Sequence, residues 1–362
     1  MRPTWAEIDL DAVKHNFMLT KELVGERVSV LSVVKADGYG HGAVEVSKVL
    51  IESGTDMLGV ATVEEAMELR DYGIEVPIIL LGGIRPSEAE VVIENDLIPC
   101  LFSLEVAEAL NKESEKAGKQ GQYHLKIDTG MTRLGVRPEE LSKFLSELIT
   151  FKNIEMKGAM THLPSLHTEH GDDSHNQIDR FQNLVSTVRE AGLDPWYIHS
   201  SKSASIQNCP LSHMNLVRPG IMLYGSGNYS GFDLRPVMKL KSEIIQIRQV
   251  PEGTRISYGG TFITKRPSTI ATIPIGYADG YMRSLSNKAC VSVNGHKAPV
   301  VGTVCMDLTM IDITDVPDLR VGDPVVLFGD DLISVDDVAS LAETISYELL
   351  SNIGKRVPRM YV

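Results

Sequence analysis

The sequence predicts an α/β chain: an N-terminal (β/α)8 TIM-like barrel followed by a mostly β C-terminal domain. Three observations predict this. From Val28 to Arg218, short apolar runs alternate with segments of helical period, giving eight short strands, the pattern of parallel βα units. Eight such units in roughly 200–250 residues match a barrel. After about Gly231 the texture changes: strand follows strand, and Asn294-Gly295 between two of them is a hairpin turn. Between the two textures Gly, Ser, Asn and Pro cluster over Gly225–Pro236, as they do in linkers. The expected domains are therefore 1–232 and 233–362, with the first strand, about residues 3–10, available to pack on the second domain. A doubly wound open sheet is the alternative architecture. However, Gly38-x-Gly40-x-Gly42 lacks the spacing of a dinucleotide fingerprint, and the second strand lacks the acidic residue that would hold a ribose.

The elements follow in order. Trp5-Ala6-Glu7-Ile8-Asp9-Leu10 alternates as a strand, and Asp11 to Val24 carries apolar residues at helical spacing up to Gly25, a C-cap. Val28–Val34 is an apolar run of the kind buried on both faces of a parallel sheet. Later barrel strands are expected at Met57–Val60, Pro77–Leu81, Ile98–Phe102, Tyr123–Ile127, Lys157–Thr161, Trp196–His199 and Asn215–Arg218. Helices are expected at Ala43–Ser53, from Thr62 to Tyr72, from Ser103 to Ala117, from Pro138 to Leu148 and from Gln177 to Ala191. Thr62 with Glu65, and Ser87 with Glu90, read as capping boxes. In the second domain strands are expected at Lys239–Val250, Arg255–Tyr258, Thr269–Ile275, Cys290–Val293, Ala298–Met306, Met310–Ile313 and Pro324–Phe328, with one helix over Ser334–Ser351.

Composition narrows the function. A formal net charge of -13 over 362 residues argues against nucleic acid or an anionic membrane as the main partner. No apolar run approaches the roughly 20 residues that span a bilayer. Cys100, Cys209, Cys290 and Cys305 form no CxxC pair and no zinc spacing. With no signal-peptide pattern ahead of them, they are expected as free thiols in a reducing cytoplasm.

Barrel enzymes carry their chemistry at the C-terminal ends of the strands. Those ends here carry Lys35 and Tyr39, then Lys126, Asp128 and Arg133, then His162, then His199-Ser200-Ser201-Lys202-Ser203, then Arg218 with Gly220-Ile221. A lysine at the end of a buried strand is well seated to be desolvated and nucleophilic, although a strand-end lysine also snorkels readily into water. Loops after the last two strands build the phosphate site of such barrels, and Ser203 with the amides of Gly220 and Ile221 are suitable donors. A reactive lysine beside a phosphate cradle suggests pyridoxal phosphate (PLP), which a lysine holds as a Schiff base. Two other readings are weaker. Ser32-Val33-Val34-Lys35 fits S-x-x-K, but residues three apart on a strand face opposite ways. His162, His167, His170 and His175 sit in a stretch rich in Pro, Gly and Asp, which reads as a solvated loop, and no metal is expected.

Val33-Val34-Lys35-Ala36-Asp37-Gly38-Tyr39-Gly40-His41-Gly42 resembles the PLP-attachment signature of alanine racemases. Lys126-Ile127-Asp128-Thr129-Gly130-Met131-Thr132-Arg133-Leu134-Gly135, Arg218-Pro219-Gly220-Ile221, Ser257-Tyr258-Gly259, Ile275-Gly276-Tyr277-Ala278-Asp279-Gly280, Cys305-Met306-Asp307 and Arg356-Val357-Pro358-Arg359 match that family in order. The resemblance implies interconversion of L- and D-alanine, supplying D-alanine for peptidoglycan, by a homodimer with composite active sites. It implies that Lys35 is the cofactor anchor and one base, with Tyr258 from the partner subunit as the second. It implies that Tyr39 is a phosphate ligand, that His162 belongs to the hydrogen-bond network, and that Arg218 faces the pyridine nitrogen. Arg133 and the backbone amide of Met306 are implied substrate-carboxylate ligands. Lys126 matches a position that carries a carbamate in many members. Tyr277 matches an entrance residue, and Cys305 and Asp307 lie in a matched run. Two positions depart from the family: Lys202 stands where Asn is usual and Lys355 where Tyr is frequent, and both are expected to supply charge to the cofactor phosphate. Serine or a broader set of amino acids is the alternative substrate, and a non-catalytic PLP-binding protein the alternative class.

Overall fold

The first strand of the chain, β1 (Thr4–Ile8), does not enter the barrel. Eight parallel strands follow it: β2 (Ser29–Val33), β3 (Met57–Val60), β4 (Ile78–Leu80), β5 (Leu97–Leu101), β6 (Gly121–Lys126), β7 (Ile154–Met160), β8 (Tyr197–His199) and β9 (Leu216–Val217). Their order in the sheet is β8-β7-β6-β5-β4-β3-β2-β9. The ends meet where the Arg218 amide donates to the Ser201 carbonyl at 3.1 Å, so the sheet is a nearly closed barrel. The computed structural model describes residues 2–164, 174–227 and 231–362.

The barrel strands form where the sequence is apolar on both faces. All four residues of β3 and all five of β5 are buried, because the lumen covers one face and the outer helices the other. Helices over Leu10–Val24, Ala43–Glu52, Val63–Asp71, Leu104–Ala117 and Ser174–Glu190 alternate with the strands. Asp9, Thr62 and Ser103 cap three of them, each accepting the amide three residues on.

Both capping boxes differ from the sequence reading. Thr62 accepts the Glu65 amide as expected, but the Glu65 carboxylate does not return to Thr62. It accepts from Ala61 N and from Ala36 N, each at 2.7 Å. Around Ser87 the reciprocal bond runs two residues earlier, from Arg85 N to Glu88 Oε2 at 2.7 Å. Pro86 starts a 3₁₀ turn there, so helical geometry begins before Ser87.

The second half of the chain is mostly β. A six-stranded sheet has the order β16-β15-β18-β10-β1-β19, built from β10 (Met238–Glu243), β15 (Cys290–Val293), β16 (His296–Pro299), β18 (Pro324–Phe328) and β19 (Arg359–Tyr361) with β1. Three strands make a separate sheet, β11 (Gln246–Val250), β14 (Ser268–Ile273) and β17 (Thr309–Asp312). The expected strand Lys239–Val250 is therefore two strands in two sheets, broken at Ile244-Ile245. The expected strand Ala298–Met306 is ordered only to Pro299, where irregular backbone takes over. One expected helix is also two, Val335–Leu341 and Ser346–Ser351.

Candidate active site

Lys35 lies two residues beyond the end of β2. The backbone after it turns in an unusual way: Ala36, Asp37, Gly38 and Tyr39 all lie in the left-handed region, at φ 53°, 53°, 59° and 52°. For non-glycine residues that geometry costs roughly 1–2 kcal/mol each, and local hydrogen bonds offset part of it. Gly38 N donates to Val34 O at 2.8 Å, Gly42 N to Asp37 O at 2.9 Å, and the Asp37 carboxylate accepts from Ala43 N at 2.8 Å. Burial and then the Arg133 charge lower the Lys35 pKa, against a raising contribution from Glu65.

Tyr39 swings its ring under the same mouth. The phenol lies against Gly220, where an added Cβ would stand 2.6 Å from Tyr39 Oη; only glycine leaves room for that phenol. Ser203 Oγ accepts from Gly220 N at 2.8 Å and from Met222 N at 3.5 Å. Loops after β8 and β9 thus bring Ser203, Gly220, Ile221 and Tyr39 together. Burial raises the Tyr39 pKa, so the phenol is a donor at neutral pH.

Arg218 is buried at the end of β9. It donates to the carbonyls of Thr161 and Ser200, both at 2.9 Å, and through Nη1 to His199 Nδ1 at 2.8 Å. A guanidinium only donates, so His199 Nδ1 accepts. Its Nε2 then carries the proton and donates to His124 Nδ1, 2.8 Å away. Burial and the Arg218 charge hold both imidazoles neutral: His199 falls well below its usual value and His124 to about 3.

The mouth opens into a cavity of about 560 Å³. Among the described residues five cationic side chains line it, Lys35, Lys126, Arg133, Lys202 and Arg218, and no Asp or Glu does. Lys126 Nζ donates to Leu81 O at 3.1 Å, and Lys202 Nζ to Pro164 O at 2.8 Å. Burial and neighbouring cations lower the pKa of both lysines. His162, in the same cavity, is pushed down to about 2 by burial and by four cations, Arg218 foremost. Arg133 is carried on a tight loop, in which the Asp128 carboxylate accepts from Gly130 N and Thr132 N.

Other residues singled out in the sequence lie elsewhere. Tyr258, Tyr277, Cys305, Met306 and Asp307 are absent from the lining of this cavity. Tyr258 is 73 % exposed and Met306 53 %. They form their own cluster. Tyr277 N and Ala278 N donate to the carbonyls of Cys305 and Met306, each at 3.0 Å. Gly276 permits this, since a Cβ there would stand 2.2 Å from Cys305 O. Thr303 Oγ1 donates to Tyr258 O at 3.0 Å. Asp307 pairs with Arg356 at 2.6 Å.

Lys355 needs a correction. It is exposed and does not line the cavity, because after the helix Ser346–Ser351 the chain turns away toward β19. The aromatic ring at that rim is Tyr347, 5.9 Å from the Tyr39 ring, with Ile345 beside it. Sequence reasoning missed Tyr347 because it fell inside one long expected helix; the adjacent Thr344-Ile345-Ser346 break was the available signal. His175 falls in the helix Ser174–Glu190, while His167 and His170 lie outside the described residues. Among the described residues, no three His, Cys, Asp or Glu are grouped to hold a metal.

The cavity fits PLP on its own features. A lysine with a lowered pKa stands at its mouth, a glycine cradle faces a phenol and a hydroxyl, and the described lining is cationic without a counter-charge. The comparisons agree. The profile for the N-terminal domain of alanine racemase matches residues 8–228, and that for its C-terminal domain matches 237–361. An alanine racemase of Halothermothrix orenii is 46% identical over 367 residues, covering 99% of this chain and 97% of that protein. Among solved structures, alanine racemase of Clostridium difficile 630 aligns with a TM-score of 0.94 at 40% identity, over 99% of this chain and 96% of that one. A Bartonella henselae alanine racemase with covalently bound pyridoxal phosphate aligns with a TM-score of 0.91 at 33% identity, over the whole of both chains. Fold, cavity and full-length identity agree, and the chain belongs to the alanine racemase family of PLP-dependent isomerases.

Proposed function

We propose that this enzyme interconverts L- and D-alanine by moving the Cα proton between two groups. Lys35 Nζ serves one face, and Tyr258 of the partner subunit serves the other. The observation that carries the reading is the charge of the cavity. Five cations, with no carboxylate beside them among the described residues, suit a ligand that brings a phosphate and a substrate carboxylate together. When bound, PLP supplies the electron sink that makes a Cα proton removable.

The chain's residues then divide the work. Ser203, Tyr39 and the amides of Gly220 and Ile221 would hold the phosphate, and Lys202 would add charge beside them. Arg218 would lie toward the pyridine nitrogen, with its other N–H groups committed to His199, Thr161 and Ser200. An arginine does not readily give up a proton, so it would leave that nitrogen unprotonated and favour return of the proton to Cα. Burial lowers the Lys35 pKa toward the range where an amine both takes and gives a proton. Arg133 and the Met306 amide of the partner subunit hold the substrate carboxylate. His162, kept neutral, hydrogen-bonds without adding a charge. Lys126 is buried among cations that disfavour its ammonium, so its neutral amine is suited to take up carbon dioxide as a carbamate, which would orient Arg133.

A homodimer supports the placement of the second base. Tyr258 and Met306 are exposed and lie away from the cavity of their own chain, so a second copy is the means of delivering them. The free state of all four cysteines supports a cytoplasmic setting, and no helix among the described residues is long and apolar enough to cross a membrane. The product fits a role in supplying D-alanine for peptidoglycan. A racemase assay of the holoenzyme over a panel of L-amino acids in deuterated water tests the reading. Alanine should show the highest kcat/KM, with deuterium at Cα of both enantiomers. Faster turnover of serine would move the substrate assignment; a bound cofactor without exchange would remove the activity.

A further inference from the structure

We propose that Glu65 is a positioning residue for Lys35: its carboxylate clamps the left-handed turn that follows the lysine to the end of the neighbouring strand β3. The inference rests on Lys35 being the base.

The clamp is read from two hydrogen bonds. Glu65 Oε1 accepts from Ala36 N, the residue after the lysine, and Glu65 Oε2 accepts from Ala61 N, the residue after β3, both at 2.7 Å. One carboxylate thus spans two barrel loops. Its helical position, three residues after the N-cap Thr62, is where a glutamate ordinarily turns back on its own helix. Here the helix is capped by Thr62 alone, and the carboxylate is spent on the lysine turn. That turn has reason to need it. Ala36, Asp37 and Tyr39 hold positive φ without being glycine, a conformation that persists only where surroundings over-determine it. Other bonds to the turn come from its own chain segment, from Val34 and Asp37, and from Arg359 in β19, whose Nε donates to Gly40 O at 2.9 Å. Val34 N, just before the lysine, donates to Gly59 O of β3 at 2.9 Å; Glu65 adds the tie on the residue just after it, so the two bracket the point where the Lys35 side chain begins.

The carboxylate also acts on charge. Beyond burial, Arg133 disfavours the Lys35 ammonium and Glu65 favours it, while Lys126, itself disfavoured by the Lys35 charge, lines the same cavity. Neutralising Glu65 lowers the Lys35 pKa, so the amine stays in its base form to lower pH.

Glu65→Gln in the holoenzyme tests the proposal, with Thr62→Ala as the comparison. Glu65→Gln keeps one acceptor and loses the charge. It is expected to lower kcat by at least tenfold, on the scale by which displacing a catalytic group costs rate, with the alanine KM changed less than threefold. The acid limb of the kcat profile should move to lower pH only in the reaction direction in which Lys35 abstracts. Thr62→Ala weakens the same helix but leaves the clamp, and is expected to keep kcat within twofold. Equal losses of kcat in the two variants at matched thermal stability would overturn the proposal, as would a Glu65→Gln profile like the parent's. If Glu65→Gln does not fold, Glu65→Asp is read instead: too short to span both loops, it should lose kcat while keeping the charge, and full activity would overturn the clamp. Lys35→Ala is assayed in parallel. If it stays active, the reading of Lys35 falls; if it is dead while Glu65→Gln is parent-like, only the positioning role falls.

Discussion

Residue types in the cavity follow from what each must do with charge. Arg218 holds its place through two carbonyls and one neutral imidazole, a planar set that does not match lysine's tetrahedral ammonium. Lys202 is different: among the described residues one bond to a carbonyl holds it, and its ammonium is disfavoured by burial and by Arg133 and Arg218. Such a cation is costly unless an anion arrives, which is the argument for its acting on the cofactor phosphate. Lys202→Asn is therefore expected to weaken PLP binding about tenfold and to flatten its salt dependence. Equilibrium titration of the apoenzyme at two salt concentrations measures both, and an unchanged affinity and slope would sink the idea. At this scale most of the site was legible. Lys35, Tyr39, Lys126, Arg133, His162, Lys202, Ser203, Arg218, Gly220 and Ile221 are near strand ends in sequence, and the barrel brings strand ends together. Lys355 and Tyr347 were not legible, because their positions depend on a turn between two helices that apolar periodicity does not register.

At the scale of elements, the segment bearing Tyr277 and Met306 is fixed by ion pairs from both chain termini. Asp279 is fully buried; it accepts from both Nη atoms of Arg2 at 2.6 Å and from Gly276 N at 3.0 Å, with Arg356 at 3.3 Å. Arg356 also reaches Asp307, and Arg2 reaches the Asp307 carbonyl. Removing one cation from a buried carboxylate typically costs ~3–5 kcal/mol. With Arg356 remaining, Arg2→Ala is expected to cost about 2 kcal/mol in urea unfolding and to raise the alanine KM, since the Met306 loop loosens. Unchanged stability and KM would show that the network is not what holds the loop. The sequence could not reveal this network, since Arg2 and Asp279 are 277 residues apart. Barrel strands were legible for the opposite reason: burial on both faces writes a local apolar run. Strand Lys239–Val250 misled because its alternation continues through a bend at which the chain changes sheet.

The whole molecule is asymmetric in its use of the chain. One chain builds a cationic cavity in its barrel, and holds Tyr258, Tyr277 and Met306 on an exposed surface elsewhere. On the proposed two-base reading, with Tyr258 outside the cavity of its own chain, one copy would lack its second acid/base group. The most direct test of that reading mixes two inactive variants, Lys35→Ala and Tyr258→Phe, under conditions that exchange subunits. In a hybrid dimer, the chain keeping Lys35 meets the partner that keeps Tyr258, which restores one complete site of two. With random reassortment about half of the dimers are hybrids, so the mixture should regain about a quarter of the parent activity. Hybrid dimers that form, as seen by native mass spectrometry, yet show no racemisation above either variant alone would contradict the shared site.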